Sequence, residues 1–441
     1  MSVEKKEKKK KNVTAENTEK SDNVIMTGNK KNENVLLYRA FVKWTVIAVI
    51  VGIVVGAAGA LFHHALDFAT EFRTENPMII YALPVAGLLI ILLYKGLGMA
   101  DDRGTNAVIL EARGEKRIRL RLAPAIVTAT FLTHLCGGSA GREGAALQLG
   151  ASLASPLGRL FKFDRDDCSI LAMCGMAAGF SALFGTPAAA AIFAMEVTVV
   201  GVAEYAAIVP CMTAAAVSGV TAAMMGIHKT SFGTVNAPVF GGDSAMTVVK
   251  VIILSILAAI VSIIFCEIMK FIGSVYKKYI KNPYLRVLAG SAIMIAATLL
   301  LGTYDYNGAG THVIEAAFRG EAFPLAFLLK IVLTAVTLDG GFKGGEIVPA
   351  FFAGSTFGCA VAPLLGLDPS FAAAIGLVAV FCGVTNCPIA SMVIGVELFG
   401  AEGIIFYAAA AGVSYMLSGY QGLYSEQTFY HSKIKPVEYS K

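Results

Sequence analysis

Two short segments of this 441-residue sequence hold residue types whose spacing suits chemistry: Gly137-Gly138-Ser139-Ala140-Gly141-Arg142-Glu143 and Gly340-Gly341-Phe342-Lys343-Gly344-Gly345-Glu346. Both read GGxxGxE, and they stand 203 residues apart. Four glycines in the eight residues from Gly137 to Gly144 let the backbone turn sharply and bring its N–H groups close to a small ligand. The apolar run after Ala145 predicts a helix, which places Glu143 at a helix N-terminus. Free N–H groups and the helix dipole make that an anion site. The carboxylate of Glu143 can fill the site itself, and a mobile anion can replace it. Once protonated, Glu143 loses its attraction for the positive helix end and leaves. One residue thus supplies both a gate and a means of coupling protons to anions.

Gly141 and Gly144, with Arg142 between them, are the expected anion contacts of the first segment. In the second segment Glu346 holds the matching position, and Gly345, Ile347 and Val348 are the expected contacts. An ionisable residue inside an apolar domain is costly and is a functional candidate by default. The competing reading of each glutamate is a helix-start cap satisfied by local backbone N–H groups. Arg142 and Lys343 can attract anions or bond carbonyls, and sequence does not separate the two. A second pair of acids follows downstream. Glu196 lies nine residues after Pro187, and Glu397 nine residues after Pro388. They read as helix-terminal carboxylates, with a proton-relay role as the alternative.

Other chemistries fit less well. Gly137 to Gly141 also matches GxSxG, the elbow of serine hydrolases, but that elbow needs a preceding strand. Here a long apolar run precedes it, and the second copy keeps the glycines while replacing Ser139 with Phe342. The eight cysteines show no CxxC pairing and mostly lie in apolar runs, so they read as small buried hydrophobes. The six histidines form no HExxH. No metal, cofactor or nucleotide site is expected, and any uphill transport must draw on an ion gradient.

The elements that position these residues are membrane helices. The sequence is 56% apolar and 15% charged, with mean hydropathy +0.68. Blocks at 41–60, 78–97, 122–135, 203–225, 248–269, 287–301, 325–338, 371–384 and 404–417 are almost free of charge. Several reach the roughly 20 residues that a spanning helix needs. Shorter pieces broken at Gly and Pro predict half-helices or re-entrant segments, which survive only when packed inside protein. The two motif pairs recur at nearly one offset, 203 and 201 residues, so the chain reads as two repeats, about 36–226 and 246–427, joined by a more polar stretch. Residues 1–34 are Lys-rich and polar and predict a disordered tail, and 428–441 a C-terminal tail. With no apolar core after a basic start, the tail reads as a cytoplasmic flank and not as a signal peptide or a nucleic-acid arm.

On these residues the chain resembles the CLC family of chloride channels and anion/proton antiporters. The family's GREGP segment appears as Gly141-Arg142-Glu143-Gly144-Ala145, and its GIFAP segment as Gly345-Glu346-Ile347-Val348-Pro349. Phe184-Gly185-Thr186-Pro187 is similar to its FNAP stretch. The resemblance spans about 36–427. It implies an all-α, inverted-repeat bundle of tilted, partly re-entrant helices and a homodimer with one pathway per subunit. It implies a multi-pass protein of the inner membrane, with Glu143 as the external gating glutamate.

Departures from the family's common pattern narrow the choice. Arg103-Gly104-Thr105-Asn106 replaces the anion-binding GSGIP segment, which makes Gly104, Thr105 and Asn106 the implied contacts there. Ala145 replaces a Pro, Val197 replaces the internal proton glutamate, and Glu346 stands where chloride members carry Ile. This combination resembles the fluoride/proton antiporter clade, although that clade commonly has Thr where this chain has Val348. The resemblance implies export of fluoride against an inward flow of protons, with a chloride channel or chloride/proton exchanger as the rival. It also implies a pore tyrosine early in the last helix, for which Tyr407 is the candidate and Phe406 its neighbouring rival.

Overall fold

The computed structural model describes residues 30–241 and 244–434. The expected basic tail lies outside the described residues up to position 29, and residues 30–34 belong to the first helix and not to the tail. Among the described residues, those up to Ile47 form one compact unit, and those from Ala48 onward form the other.

Sixteen α-helices run through the described residues. The first eight are α1 (Lys30–Glu75), α2 (Leu83–Gly96), α3 (Thr105–Ala112), α4 (Leu122–Leu135), α5 (Glu143–Leu160), α6 (Arg165–Phe184), α7 (Pro187–Glu196) and α8 (Ile208–Met224). The second eight are α9 (Ala245–Tyr279), α10 (Pro283–Leu301), α11 (Thr311–Phe318), α12 (Ala326–Gly340), α13 (Ile347–Leu365), α14 (Pro369–Thr385), α15 (Pro388–Phe399) and α16 (Ile404–Leu417). The order of long and short helices in the first set returns in the second. Two-residue strands β1 (Val199–Val200) and β2 (Thr428–Phe429) pair in parallel, which ties the chain beyond α16 to the turn that follows α7.

Among the described residues seven stretches are long and apolar enough to cross a bilayer, Ala245–Tyr279 and Ile347–Leu365 among them. On α9, Val249, Ile252, Ile253, Ile256, Ile260 and Ile264 are exposed at helical spacing, while Ala258, Ala259 and Phe265 on the other side are buried. An outward apolar stripe on a helix of that length belongs against lipid. The chain is a multi-pass membrane protein. By contrast α3 and α11, at 8 residues, and α7 and α15, at 10 and 12, are too short to span. Their ends must be satisfied inside the protein.

Local sequence explains where the helices stop. Asp164 caps α6 by accepting the Asp167 N–H at 2.8 Å, and Asp368 caps α14 by accepting the N–H groups of Ser370 and Phe371. Both helices end on a left-handed residue, Gly185 (φ 67°) and Asn386 (φ 59°). Two residues later Pro187 and Pro388 open the next helix, where a missing N–H costs nothing.

The core of each repeat is a pair of helices in backbone contact, α5 against α6 and α13 against α14. A methyl group on Gly150 or Gly175 would run into the carbonyl of the other, and Gly354 and Gly376 stand in the same reciprocal relation. Small residues of this kind let helices approach closely in a membrane, where no hydrophobic driving force separates helix from lipid.

The repeats are joined by exchange. Glu397, at the end of α15, accepts the N–H groups of Ala188 (3.0 Å) and Ala189 (2.8 Å) at the start of α7. Glu196, at the end of α7, accepts those of Ile389 (3.2 Å) and Ala390 (2.9 Å) at the start of α15. Each short helix is thus capped by a carboxylate from the other repeat. Such reciprocity requires a local two-fold axis between the halves.

Two outcomes follow. Gly175→Ala should lower thermal stability in detergent by about 1–3 kcal/mol, whereas Gly412→Ala, which would meet no atom within 4 Å, should be neutral. Equal melting curves for the two variants would remove the close-packing account. Glu397→Ala strands two buried N–H groups and should cost about 1–3 kcal/mol without changing the ratio of protons to anions moved. An altered ratio at unchanged stability would make Glu397 a proton carrier instead of a cap.

Candidate functional site

The Gly137–Gly141 loop is held by the other repeat. The Asn307 side chain donates to Gly137 O (3.0 Å), Ala140 N–H donates to Gly308 O (3.2 Å) and Gly308 N–H donates to Gly138 O (2.9 Å). Lys330, fully buried on α12, donates to Tyr306 O and Gly308 O at 3.1 and 2.6 Å, so its amine serves carbonyls of the neighbouring loop. Ser139 N–H donates to Thr337 Oγ1, and the Ser139 hydroxyl pairs with Thr334 Oγ1 at 3.2 Å. Among the described residues no histidine or carboxylate bonds it, and a helix and not a strand precedes it.

At the centre, Gly141 N–H donates to Gly345 O and Gly345 N–H to Gly141 O, both at 2.8 Å. This antiparallel bridge between the two motifs brings the N-termini of α5 and α13 together. The start of α3 joins them: a side chain on Gly144 would meet Gly345 Cα at 2.9 Å and Thr105 Oγ1 at 3.1 Å. Gly104, with φ 59°, ends the preceding turn and starts α3. Three helix N-termini therefore converge, and a positive potential converges with them.

Glu143 sits at this junction with no solvent exposure. Its Oε2 accepts the Arg142 N–H at 3.0 Å. A Cβ at Gly141 would press on Oε2 at 2.8 Å and on Pro349 Cδ at 3.0 Å, so only glycine leaves room. The Arg142 guanidinium lies 3.6 Å from Glu143 Oε1 and 3.3 Å from Asp67 Oδ1, and His63 Nε2 lies 3.2 Å from Asp67 Oδ2. Arg142 is thereby shared between a buried and an exposed carboxylate. Lys343 instead pairs with Asp102 at 2.8 Å and stacks over the Tyr94 ring.

A cavity of about 600 Å³ leads to the junction; Thr105, Asn106, Gln148, Glu346 and Tyr424 lie in its wall. Glu346 is partly accessible there, and its Oε2 is buried without a partner. Asn106 Oδ1 accepts the Glu426 N–H at 3.1 Å. That contact requires an acceptor, which leaves the Nδ2 donors of Asn106 uncommitted in the cavity wall.

The sequence expectations divide accordingly. Glu143, Arg142, Gly144, Gly104, Thr105, Asn106, Glu346, Ile347 and Val348 gather at the junction or its cavity. Gly141 and Gly345 are there too, but each spends its N–H on the other, so neither is a free donor to an anion. Tyr407 is not there. It is fully buried between α15 and α16, packed on Gly395, Gly403 and Phe399, and Phe406 packs on Phe240 and Phe371.

The cavity tyrosine is Tyr424, whose buried hydroxyl has no partner and feels the charges of both Glu346 and Glu143. It was missed because it follows α16 in a segment without periodicity. Gln148 was missed as well. Its Nε2 donates to Gly144 O at 3.1 Å and its Oε1 is buried without a partner. The available signal was a lone amide one turn beyond Glu143 on an otherwise apolar helix.

Residues 86–419 match the sequence profile of the voltage gated chloride channel family. A "Chloride/fluoride channel protein" of Pseudomonas syringae pv. tomato is 37% identical over 413 residues, covering 92% of this chain and 90% of that protein. An H+/Cl− exchange transporter of Vibrio parahaemolyticus is 23% identical over 86% of this chain and 88% of its own. The crystal structure of a CLC-type fluoride/proton antiporter superposes with a TM-score of 0.84 at 34% identity, covering 88% of this chain and 98% of that one. A slow cyanobacterial Cl−/H+ antiporter shares the fold, with a TM-score of 0.69 at 19% identity over 85% and 94% of the two chains. With the family profile matched across most of its length, this chain belongs to the voltage gated chloride channel, or CLC, family.

Proposed function

We propose that this protein exchanges fluoride for protons, exporting fluoride from the cell as protons run inward. The observation that carries this reading is the placement of two carboxylates. Glu143 lies in the dry junction of the helix N-termini, and Glu346, one helix start away, lines the cavity. Fluoride differs from chloride in its small radius and tight hydration, so a site for it must offer strong donors close together to repay dehydration. The free N–H groups of the helix starts, the Asn106 amide and the Tyr424 hydroxyl are donors of that kind. The likeness to a fluoride/proton antiporter supports the same choice.

In this reading an anion that reaches the junction displaces the Glu143 carboxylate, which takes a proton and swings away. Glu346 hands protons between Glu143 and the cavity. The cavity opens to the cytoplasm, and the working unit in the inner membrane is a homodimer. Ser139 pairs with Thr334 and follows a helix, an arrangement unlike the strand-borne elbow of a serine hydrolase. Chloride transport remains the rival reading, because the Pseudomonas relative's name carries both anions.

Proteoliposomes with fluoride, chloride and pH recorded in parallel test the proposal. Fluoride should move with protons, and chloride should move far more slowly. Glu143→Gln and Glu346→Gln should each lower fluoride-driven proton movement by about 100-fold in a folded dimer, while Ser139→Ala transports normally. Equal chloride and fluoride fluxes would instead establish the rival. Wild-type coupling in Glu346→Gln would reduce that residue to a helix cap. Tyr424→Phe removes one donor to a charged guest and should weaken apparent fluoride affinity by about tenfold. An unchanged affinity would take the tyrosine out of the anion site.

A further inference from the structure

The cavity that holds Glu346 is lined by three further acids, Asp102, Asp339 and Glu426. Asp102 is paired with Lys343, and Glu426 with Arg103 at 2.7 Å. Asp339, on the last turn of α12, has no such ion pair among the described residues, and its Oδ2 is buried without a hydrogen-bond partner. Its Oδ1 faces Gly273 of α9, where an added Cβ would lie only 2.8 Å away.

Asp339 also lines a second cavity, of about 470 Å³, between α2, α10 and α12. That cavity reaches the protein surface at the exposed residues Lys95, Ala100 and Pro283. The two cavities share Asp102, Leu338, Asp339 and Lys343 as a common wall. In that wall the Lys343–Asp102 pair is closed on itself, which leaves Asp339 as the group able to serve both sides. Two other buried atoms without partners, Tyr94 Oη and Arg286 Nε, belong to residues lining the second cavity. Three unpartnered polar groups in one cavity of that size are suited to hydration.

From this geometry we infer that Asp339 is a proton station between Glu346 and the surface, and that the second cavity is a proton path separate from the anion's. The inference rests on the proposed role of Glu346. The step conserves charge and atoms. A protonated Glu346 gives its proton through water in the first cavity to the Asp339 carboxylate, becoming ionised itself. Asp339 then releases the proton to water in the second cavity and returns to its carboxylate form. The reverse sequence loads Glu346. The charged and titratable groups that face Asp339 are Lys277 and Tyr276 of α9, Arg286 of α10, and Glu346. The two cations oppose the neighbouring carboxylate, which lets Asp339 exchange protons without a permanent partner.

The test measures the proton-to-fluoride ratio in proteoliposomes for Asp339→Asn, Asp339→Ser and Asp339→Glu beside Glu346→Gln. Two non-titrating replacements of different size guard against failure of one to fold. The ratio should fall by about tenfold or more in Asn and Ser, and the Glu variant should recover most of it. Fluoride should still move in the first two once voltage is clamped by an ionophore. A merely structural role would lower both fluxes together and leave their ratio unchanged. If Glu346→Gln loses coupling while the Asn and Ser variants keep the wild-type ratio, the inference is overturned and the reading of Glu346 survives. If Glu346→Gln itself keeps coupling, the earlier reading fails first, and the station with it.

Discussion

Everything at the centre of this protein depends on one pair of backbone hydrogen bonds. Gly141 and Gly345 each donate to the other's carbonyl, and so they bring two glycine loops from opposite halves of the sequence into contact. Neither loop carries a side chain that would hold the strands apart. The helices that follow, α5 and α13, therefore begin at nearly the same point, with α3 beside them. A single helix start offers a modest positive potential, but several directed at one place make a site for charge. Glu143 takes that place in the structure, and the tight fit of its carboxylate against Gly141 and Pro349 shows how little room there is.

Much of this was readable before any coordinates. The duplicated GGxxGxE motif located both glutamates, the apolar blocks gave α4 and α16 their observed ends, and Gly and Pro marked the breaks between short helices. Local physics governs those features, and local physics is what periodicity and spacing record. The partners across about 200 residues were not readable. Nothing in the order of residues says that Glu196 meets the start of α15, or that the Gly141 N–H is spent on Gly345. Tyr407 illustrates the failure. It lies on a helix of the right type in about the right place, yet it turns into the packing between α15 and α16. Tyr424, in irregular chain beyond the last helix, occupies the cavity instead.

The acids of this protein divide by what surrounds them. Glu196 and Glu397 each hold two backbone N–H groups, and Asp102 and Glu426 each hold a cation. Those contacts give each of these carboxylates a fixed structural partner. Glu143, Glu346 and Asp339 each keep an oxygen with no hydrogen bond, at a cost that the rest of the fold must offset. The same residue type thus serves as scaffold where it is saturated and as a candidate for chemistry where it is not.

The exchange of caps between α7 and α15 has a wider meaning. An interface in which residue i of one body meets j of the other, and j meets i, is isologous, the pattern formed when two identical subunits associate about a two-fold axis. Here both bodies belong to one polypeptide, and each half carries the carboxylate that the other needs. The chain is thus organised like a dimer folded from one polypeptide. Covalent linkage frees the two halves from being identical, so that one glycine loop carries Arg142 and the other Lys343, and a path with two different ends is built from like parts.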